Sequence, residues 1–155
     1  MNGVTRWLDE EEMAAWRGLA ETFSDLTAVL EDELLATHGL NLGEYLVMVQ
    51  LSEQQDHRLR MCDLATRLHL SPSGLTRRLE HMVREGYVKR EPDTADRRVI
   101  NAVLTDEGYA RLVEAAPTHV EGVRTHLLDH LSRAQIRQLG SVLRALARSS
   151  AEPQV

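Results

Sequence analysis

The stretch that decides the fold runs from position 71 to position 108 and reads SPSGLTRRLEHMVREGYVKREPDTADRRVINAVLTDEG. Its first two residues predict a helix start, because the Ser71 side chain can accept a backbone N–H and a proline fits the first helical turn. Apolar residues then recur at helical spacing: Leu75, Leu79, Met82 and Val83. Gly86 follows as a helix stop. The sequence therefore predicts a helix over residues 72–85 with one apolar inner face.

The apolar period then changes from about 3.6 to 2. Residues 87–91 and 99–104 alternate as strands do, and the turn-rich residues 92–96 join them into a hairpin. Upstream, residues 59–61 predict a short strand and residues 62–69 a shorter helix. A helix, a turn, a second helix and a hairpin form a winged helix-turn-helix in sequence order. We expect a mostly α (α+β) fold whose second helix enters the major groove of DNA while the hairpin tip reaches the minor groove.

A long amphipathic helix is predicted before this module. Asp9 and Glu12 form a capping box, and the chain between Asp9 and Gly39 is long enough for a helix of about 40 Å. Its apolar stripe consists of Met13, Trp16, Ala20, Phe23, Leu26, Leu30 and Leu34. Because a small core does not need so long a helix, its far end should have a partner, and a second subunit is one candidate. A second helix starts at Asn41 and is expected to bury Leu42, Tyr45, Leu46, Met48 and Val49.

Further helices are predicted after the hairpin. Thr105 is expected to cap a helix that continues to Leu131 and bends at Pro117, and Ser132 is expected to cap a final helix. The chain is thus divided into three regions within one continuous domain. They are an N-terminal helical region (1–40), a DNA-binding module (41–104) and a C-terminal helical region (105–155).

The charges are segregated along the chain. The net charge is −6, but residues 1–56 carry 2 Arg against 12 acidic residues, whereas residues 57–98 carry 10 Arg and Lys against 6 acidic residues. A basic middle segment beside an acidic arm is typical of a surface that binds a polyanion. Cys62 is the only cysteine, which excludes an intrachain disulfide and fits a reducing compartment. There is neither a run of about 18 apolar residues nor a secretory signal, so we expect a cytoplasmic protein without a membrane partner.

The outer face of helix 72–85 supplies the candidate DNA contacts. With its apolar residues turned inward, the helix start presents small polar and basic side chains: Ser71, Ser73, Gly74, Thr76, Arg77 and Arg78. Small residues let the backbone approach the groove floor, and an arginine can pair with guanine or with phosphate.

The hairpin resembles that of the MarR (multiple-antibiotic-resistance regulator) family. The family's Asp-x-Arg wing pattern appears as Asp96-Arg97-Arg98, and its Leu-Thr-x-x-Gly pattern as residues 104–108. The resemblance implies a bacterial, nucleoid-associated transcriptional regulator, by family habit a repressor, that binds a pseudo-palindromic operator. It implies a homodimer formed by an N-terminal dimerisation helix (1–40) and C-terminal dimerisation helices (105–155). It also implies that Arg98 enters the minor groove, that Asp96 orients it and that Arg97 contacts phosphate. His69 departs from the pattern, because many helix-turn-helix proteins have glycine in that turn.

Family members also bind phenolic or carboxylate ligands between their dimer helices and their DNA module. The residues that would line such a cleft here are Trp16, Arg17, His38 and Tyr45, although packing roles are favoured for Trp16 and Tyr45. Urate-responsive relatives carry an aspartate after the aromatic residue of the second helix. Leu46 stands there in this chain and counts against that ligand.

Two sensing sites are weaker alternatives. Cys62 could be a peroxide-sensing thiol, but the sensors of this family place theirs on the first helix, and the role of a small hydrophobic residue is favoured. His126 and His130, with His119 further upstream, have a spacing compatible with zinc, but no third or fourth ligand is evident. Surface or interface histidines are therefore favoured, and no metal and no other cofactor is expected.

Two other classes of protein remain as rivals. A sequence-tolerant architectural protein would also carry a basic patch, and a small enzyme or ligand carrier would use the helical cleft. The sequence contains no nucleophile–base arrangement, no phosphate-binding glycine loop and no paired carboxylates. We therefore do not expect an enzyme.

Overall fold

The computed structural model describes residues 5–151, which form six α-helices and three β-strands. In chain order these are α1 Glu10–His38, α2 Leu42–Ser52, β1 Arg58–Arg60, α3 Met61–Arg67, α4 Pro72–Arg84, β2 Val88–Pro92, β3 Ile100–Leu104, α5 Asp106–His126 and α6 Arg133–Ala151. Short 3-10 turns precede β1 and follow α5. None of the helices within 5–151 is both long and apolar enough to cross a membrane.

The strands form one antiparallel sheet in the order β1-β3-β2. β2 and β3 are the two strands of the predicted hairpin, the wing, and Arg90 of β2 lies opposite Ala102 of β3. β1 pairs with the other edge of β3, where Arg60 lies opposite Asn101. The mostly α fold with a helix-turn-helix and a hairpin is therefore confirmed, including the short strand before α3.

One apolar core joins the sheet to the helices. It includes Leu34 of α1, Met48 of α2, Leu79 of α4, Val88 of β2 and Leu112 of α5. The apolar core holds α4 in place, because the predicted inner residues of this helix, Leu75, Leu79 and Met82, are all fully buried. This burial leaves the opposite face of α4 to the solvent.

The structure corrects three expectations about the helices. Leu46 is 39% exposed, whereas Val47 is buried in its place. α5 ends at His126, because Leu127 leaves helical geometry at φ −134° and ψ −65°. The predicted continuation to Leu131 is therefore wrong, although the apolar spacing continues past the break. Val83, expected on the inner face of α4, is 40% exposed.

The terminal helices leave large apolar side chains exposed in the single chain. Of the predicted stripe on α1, Leu30 and Leu34 are buried, but Trp16 is 58% and Phe23 66% exposed. α6 has no extensive packing against any other helix or strand in the described residues, and its Val142 is 57% exposed. These faces need a covering that the single chain does not provide.

The turn between α3 and α4 holds His69 in the left-handed region, at φ 52°. The Leu70 N–H donates to the carbonyl of Ala65 at 2.9 Å, which is the closure of a helix that ends in a Schellman-type cap. Glycine usually occupies such a position because a side chain is strained there. The departure noted in the sequence therefore leaves the turn intact and stores strain in it.

We expect His69→Gly to raise the free energy of unfolding by about 0.5–1 kcal/mol, because relief of the strain outweighs the added freedom of the unfolded chain. Urea denaturation followed by circular dichroism measures the change. As a matched control, Arg67→Gly at the end of α3 replaces a residue of ordinary helical conformation and should lower stability by up to about 1 kcal/mol. A loss of stability in His69→Gly would contradict the assignment of strain.

Candidate nucleic-acid interface

The first turn of α4 presents small polar groups at the positive end of a helix dipole. Ser71 is the N-cap, and its Oγ accepts the backbone N–H of Gly74 at 3.1 Å and lies 3.2 Å from the Ser73 Oγ. Thr76 and Arg77 follow on the exposed face. Within the described residues the Arg77 guanidinium makes no side-chain hydrogen bond, so its donors are available to a ligand. Such a helix start suits an anion or the edge of a base pair.

Arg78 is placed differently from the other candidates on α4. It is half-buried, and its guanidinium packs so closely on Gly43 that a side chain at that position would collide with it. Both residues line a groove of about 580 Å³ between α2 and α4, together with Glu31 and His81. Arg78 therefore packs against α2 instead of standing on the exposed face beside Arg77.

The wing tip holds a two-pronged pair between Asp96 and Arg98. The Asp96 carboxylate accepts the backbone N–H of Arg98 at 3.0 Å and its Nε at 3.1 Å, while the second oxygen accepts Nη2 at 3.2 Å. The side-chain hydrogen bond from Arg98, followed by the backbone one, holds the pKa of Asp96 below its usual range. The pair is therefore fully charged at neutral pH. The Arg98 side chain is nonetheless 91% exposed, and the neighbouring Arg97 is exposed as well.

A second carboxylate, Asp93, organises the turn itself. One of its oxygens accepts the N–H of Ala95 at 2.9 Å and of Asp96 at 3.4 Å, and the other accepts the Asn101 amide at 3.0 Å. The Asn101 hydrogen bond, followed by those of the two backbone groups, lowers the pKa of Asp93. The sequence had placed this residue in a turn but had given it no role.

Arg90 makes a contact that was not predicted from the sequence. Its Nη2 donates to the backbone carbonyl of Thr76 at 2.9 Å, so a residue of the wing strand β2 is bonded to α4. Strand alternation places Arg90 on the same face as the buried Val88, which is the only sequence signal for this contact. The bond fixes the wing relative to the exposed face of α4.

A buried carboxylate joins α2 to the last turn of α4. The Glu44 side chain is 5% exposed, and its Oε1 lies 2.7 Å from Nδ1 of His81. Its Oε2 also accepts the Asn41 N–H at the start of α2. The sequence had predicted that α2 starts at Asn41 but not this long-range partner of Glu44.

The four candidate ligand residues do not meet within one chain. His38 Nε2 lies 2.8 Å from the Thr118 hydroxyl, and the ring of the buried Tyr45 packs 4.5 Å from the ring of His119. Burial raises the pKa of Tyr45 and lowers that of His119, so both are neutral at pH 7. Trp16 and Arg17, in contrast, are exposed on α1 about 30 Å from His38, at 1.5 Å per residue.

The weaker sensing candidates gain no support. His126 ends α5 and pairs with Glu33 at 2.7 Å, while His130 lies in the 3-10 turn beyond the helix, so the two do not share a helical face. No group of three metal-binding side chains occurs among residues 5–151 that could hold a metal ion. Cys62 is exposed at the start of α3, 3.6 Å from an oxygen of Asp63, and does not act as a buried hydrophobic residue.

Comparison with known proteins adds to this geometry. A sequence model of the MarR family matches residues 40–100. The transcriptional repressor YetL of Bacillus subtilis is 28% identical over 90% of this chain and 85% of its own length. AbsC, a MarR family transcriptional regulator from Streptomyces coelicolor, is 38% identical, covers 94% of this chain and 97% of its own, and superposes with a TM-score of 0.87.

A second regulator from Streptomyces coelicolor, Sco3205, has been solved in complex with DNA. It is 34% identical over 98% of this chain and 95% of its own, with a TM-score of 0.91. These relatives regulate transcription, which confirms the expectation that the chain is not an enzyme. The full-length similarity also confirms the resemblance inferred from the wing and from residues 104–108. The protein therefore belongs to the MarR family of DNA-binding transcriptional regulators.

Proposed function

We propose that this protein binds a pseudo-palindromic operator as a homodimer and represses its own or neighbouring genes. The observation that carries the proposal is the bond from Arg90 to the Thr76 carbonyl, since it holds two exposed basic elements in one fixed arrangement. One is the start of α4, with Ser71, Ser73, Gly74, Thr76 and Arg77. The other is the wing tip, with Asp96, Arg97 and Arg98.

In this proposal α4 enters the major groove and Arg98 the adjacent minor groove. Arg77 can donate two hydrogen bonds to a guanine edge, which is the commonest specific contact in that groove. Arg97 neutralises phosphate, and Asp96 orients the guanidinium of Arg98 for the minor groove. Arg78 takes a supporting role because it packs on Gly43. The excess of negative charge lies in residues 1–56, outside this surface, where 12 acidic residues stand against 2 Arg.

The homodimer is supported by the exposed apolar faces of the terminal helices. Trp16 and Phe23 on α1 and Val142 on α6 are each more than half exposed. A stable monomer of this size would leave less apolar surface in contact with water. Regions 1–40 and 105–155 would pair with their copies, while region 41–104 of each subunit reads one half-site. Two-fold symmetry would place the two α4 helices about 34 Å apart, one turn of DNA.

An inducer would release the repressor by changing that spacing. A site made from Trp16, Arg17, His38 and Tyr45 requires both subunits, because Trp16 and Arg17 lie about 30 Å from His38 along α1. Its aromatic rings and Arg17 suit a small phenolic or aromatic acid. We expect the same acid not to bind a monomeric variant of the protein, and isothermal titration calorimetry can measure this.

The function is tested by titrating the promoter region of the protein's own gene against random DNA of equal length at one salt concentration. We expect a specificity ratio of at least about 10³ and a footprint with two-fold symmetry. A ratio near one would favour the architectural protein instead. Analytical ultracentrifugation of the free protein should give a dimer, and a stable monomer would contradict the proposed geometry.

Arg77 allows the specific and the electrostatic parts of binding to be separated. Arg77→Ala should cost about 1–3 kcal/mol on the operator and should relax base preference at one position in each half-site. Arg77→Lys keeps the charge but loses the paired donors, so it should recover affinity for random DNA while leaving the base preference relaxed. Competition titrations with single-base operator variants measure both. An equal loss on all sequences would mean that Arg77 contacts phosphate alone.

A further inference from the structure

Asn101 is a buried polar residue in an otherwise apolar strand. Its relative exposure is 2%, and the next three residues of β3 are the buried Ala102, Val103 and Leu104. Among the described residues of the chain, Glu44 is the one other polar or charged residue buried to this degree, glycines aside. Burying an amide is costly unless it is hydrogen-bonded, so the partner of this amide indicates what the residue does.

The Asn101 amide points along the sheet to the wing tip. Its Nδ2 donates to Oδ2 of Asp93 at 3.0 Å, across the base of the hairpin loop. The loop is also closed by the backbone, since the Asp93 N–H donates to the Val99 carbonyl and the Val99 N–H to the Asp96 carbonyl. Because the backbone already closes the loop, the Asn101 amide acts mainly on the orientation of the Asp93 carboxylate.

That orientation is passed on to the wing arginine. Oδ1 of Asp93 receives the N–H groups of Ala95 and Asp96, and the Asp96 carboxylate in turn receives three N–H groups of Arg98. The bonds therefore form one continuous path from a buried side chain to an arginine that is 91% exposed. An exposed arginine has much rotamer freedom to lose on binding, unless it is held beforehand.

We propose that Asn101 is a positioning residue for DNA binding, which holds Arg98 in its bound geometry through Asp93 and Asp96 without touching DNA. The proposal rests on the proposed role of Arg98 in the minor groove. It differs from a purely structural role in one respect. If Asn101 acts through Arg98, its contribution to operator affinity disappears when Arg98 is absent.

A double-mutant cycle on operator affinity, measured by fluorescence anisotropy, tests this. Asn101→Leu keeps the size and the burial but removes the amide, and we expect roughly a tenfold loss of affinity in the native background, the equivalent of about 1.4 kcal/mol. In the Arg98→Ala background the same change should have no effect. Paired instead with Arg77→Ala, its loss should add in full. Circular dichroism and sedimentation verify that each variant is a folded dimer.

Asp93 provides a second pair of variants that leaves the core untouched. Asp93→Ala removes the carboxylate that joins Asn101 to the wing tip. It should therefore reproduce the loss of operator affinity seen in Asn101→Leu, including its dependence on Arg98. Asp93→Asn is the matched control, because its amide oxygen can still accept the Ala95 N–H while its amide nitrogen donates to a flipped Asn101. It should bind the operator within about twofold of the native protein.

The results distinguish a failure of the positioning role of Asn101 from a failure of the proposed function. If Arg98→Ala costs affinity and Asn101→Leu costs the same in both backgrounds, the positioning role is wrong while the proposed function stands. If Asn101→Leu does not fold, the Asp93 pair decides in the same way. If Arg98→Ala leaves operator affinity unchanged, the role of the wing and the positioning role both fall.

Discussion

Replacing Arg98 with alanine is expected to lower operator affinity by about 100-fold, the equivalent of about 2.8 kcal/mol, while the dimer stays folded. The side chain is 91% exposed and its hydrogen bonds in the free protein go to Asp96, so its removal leaves no cavity and no buried unpaired group. Its loss should therefore lower the affinity for DNA and hardly change the stability of the free protein. Each dimer contributes two such arginines to the complex. Anisotropy titrations at several salt concentrations measure the change.

The salt series distinguishes charge from geometry. Arg98→Ala should flatten the dependence of log affinity on log salt, because fewer counterions are released when two cations are missing. Arg98→Lys should keep the slope and still bind weakly, since lysine cannot form the two-pronged pair with Asp96. Arg137→Ala, on the exposed surface of α6, is the matched control and should change neither value. Native-like affinity in Arg98→Ala would refute the assignment of the wing.

Much of the fold was predictable because its signals are local. The caps at Asp9, Asn41, Ser71 and Thr105 all form as expected, and each joins groups three residues apart. A hydrogen bond between near neighbours depends on a few side chains and can be inferred from sequence order alone. The buried face of α4 follows in the same way from a periodicity within a single helix.

The contacts that fix the candidate site were not predictable in this way. Arg90 reaches Thr76 across 14 residues, and His81 reaches Glu44 across 37. Nothing in the sequence around Arg90 indicates which backbone carbonyl it will meet, because the packing of β2 against α4 decides this. The pair between Asp96 and Arg98 was expected only through resemblance to a family, and its geometry is consistent with that expectation.

The exposed apolar stripes have a different cause. The spacing of Trp16 and Phe23 correctly indicates an apolar face on α1, but the single chain does not bury it. A pattern of residues identifies the face that needs covering and not the molecule that covers it. The break at Leu127 is a further limit, since the apolar spacing continues beyond a point at which the backbone turns.

Gly108→Ala is expected to cost about 2–3 kcal/mol in folding free energy, equivalent to a fall of roughly 5–10 °C in Tm. Gly108 lies in the first turn of α5, and its N–H donates to Oγ1 of Thr105 at 3.0 Å. A Cβ at this position would collide with the carbonyl oxygen of Tyr87 and would lie 2.8 Å from Cδ1 of Leu104. The methyl group would therefore force the wing and α5 apart.

The Tyr87 carbonyl already accepts other hydrogen bonds, so β2 and α5 cannot easily move apart at this point. The Tyr87 oxygen accepts both the N–H and the Oγ1 hydroxyl of Thr105 at 3.1 Å, and these bonds join the start of β2 to the cap of α5. Gly18→Ala is the matched control, because a Cβ there meets nothing within 4 Å inside the chain and alanine should stabilise α1 by about 0.5–1 kcal/mol. Urea denaturation of both variants measures the difference. Equal stability of the two would mean that the contact between Gly108 and Tyr87 relaxes freely. In that case the glycine of residues 104–108 would owe its place to something other than close packing.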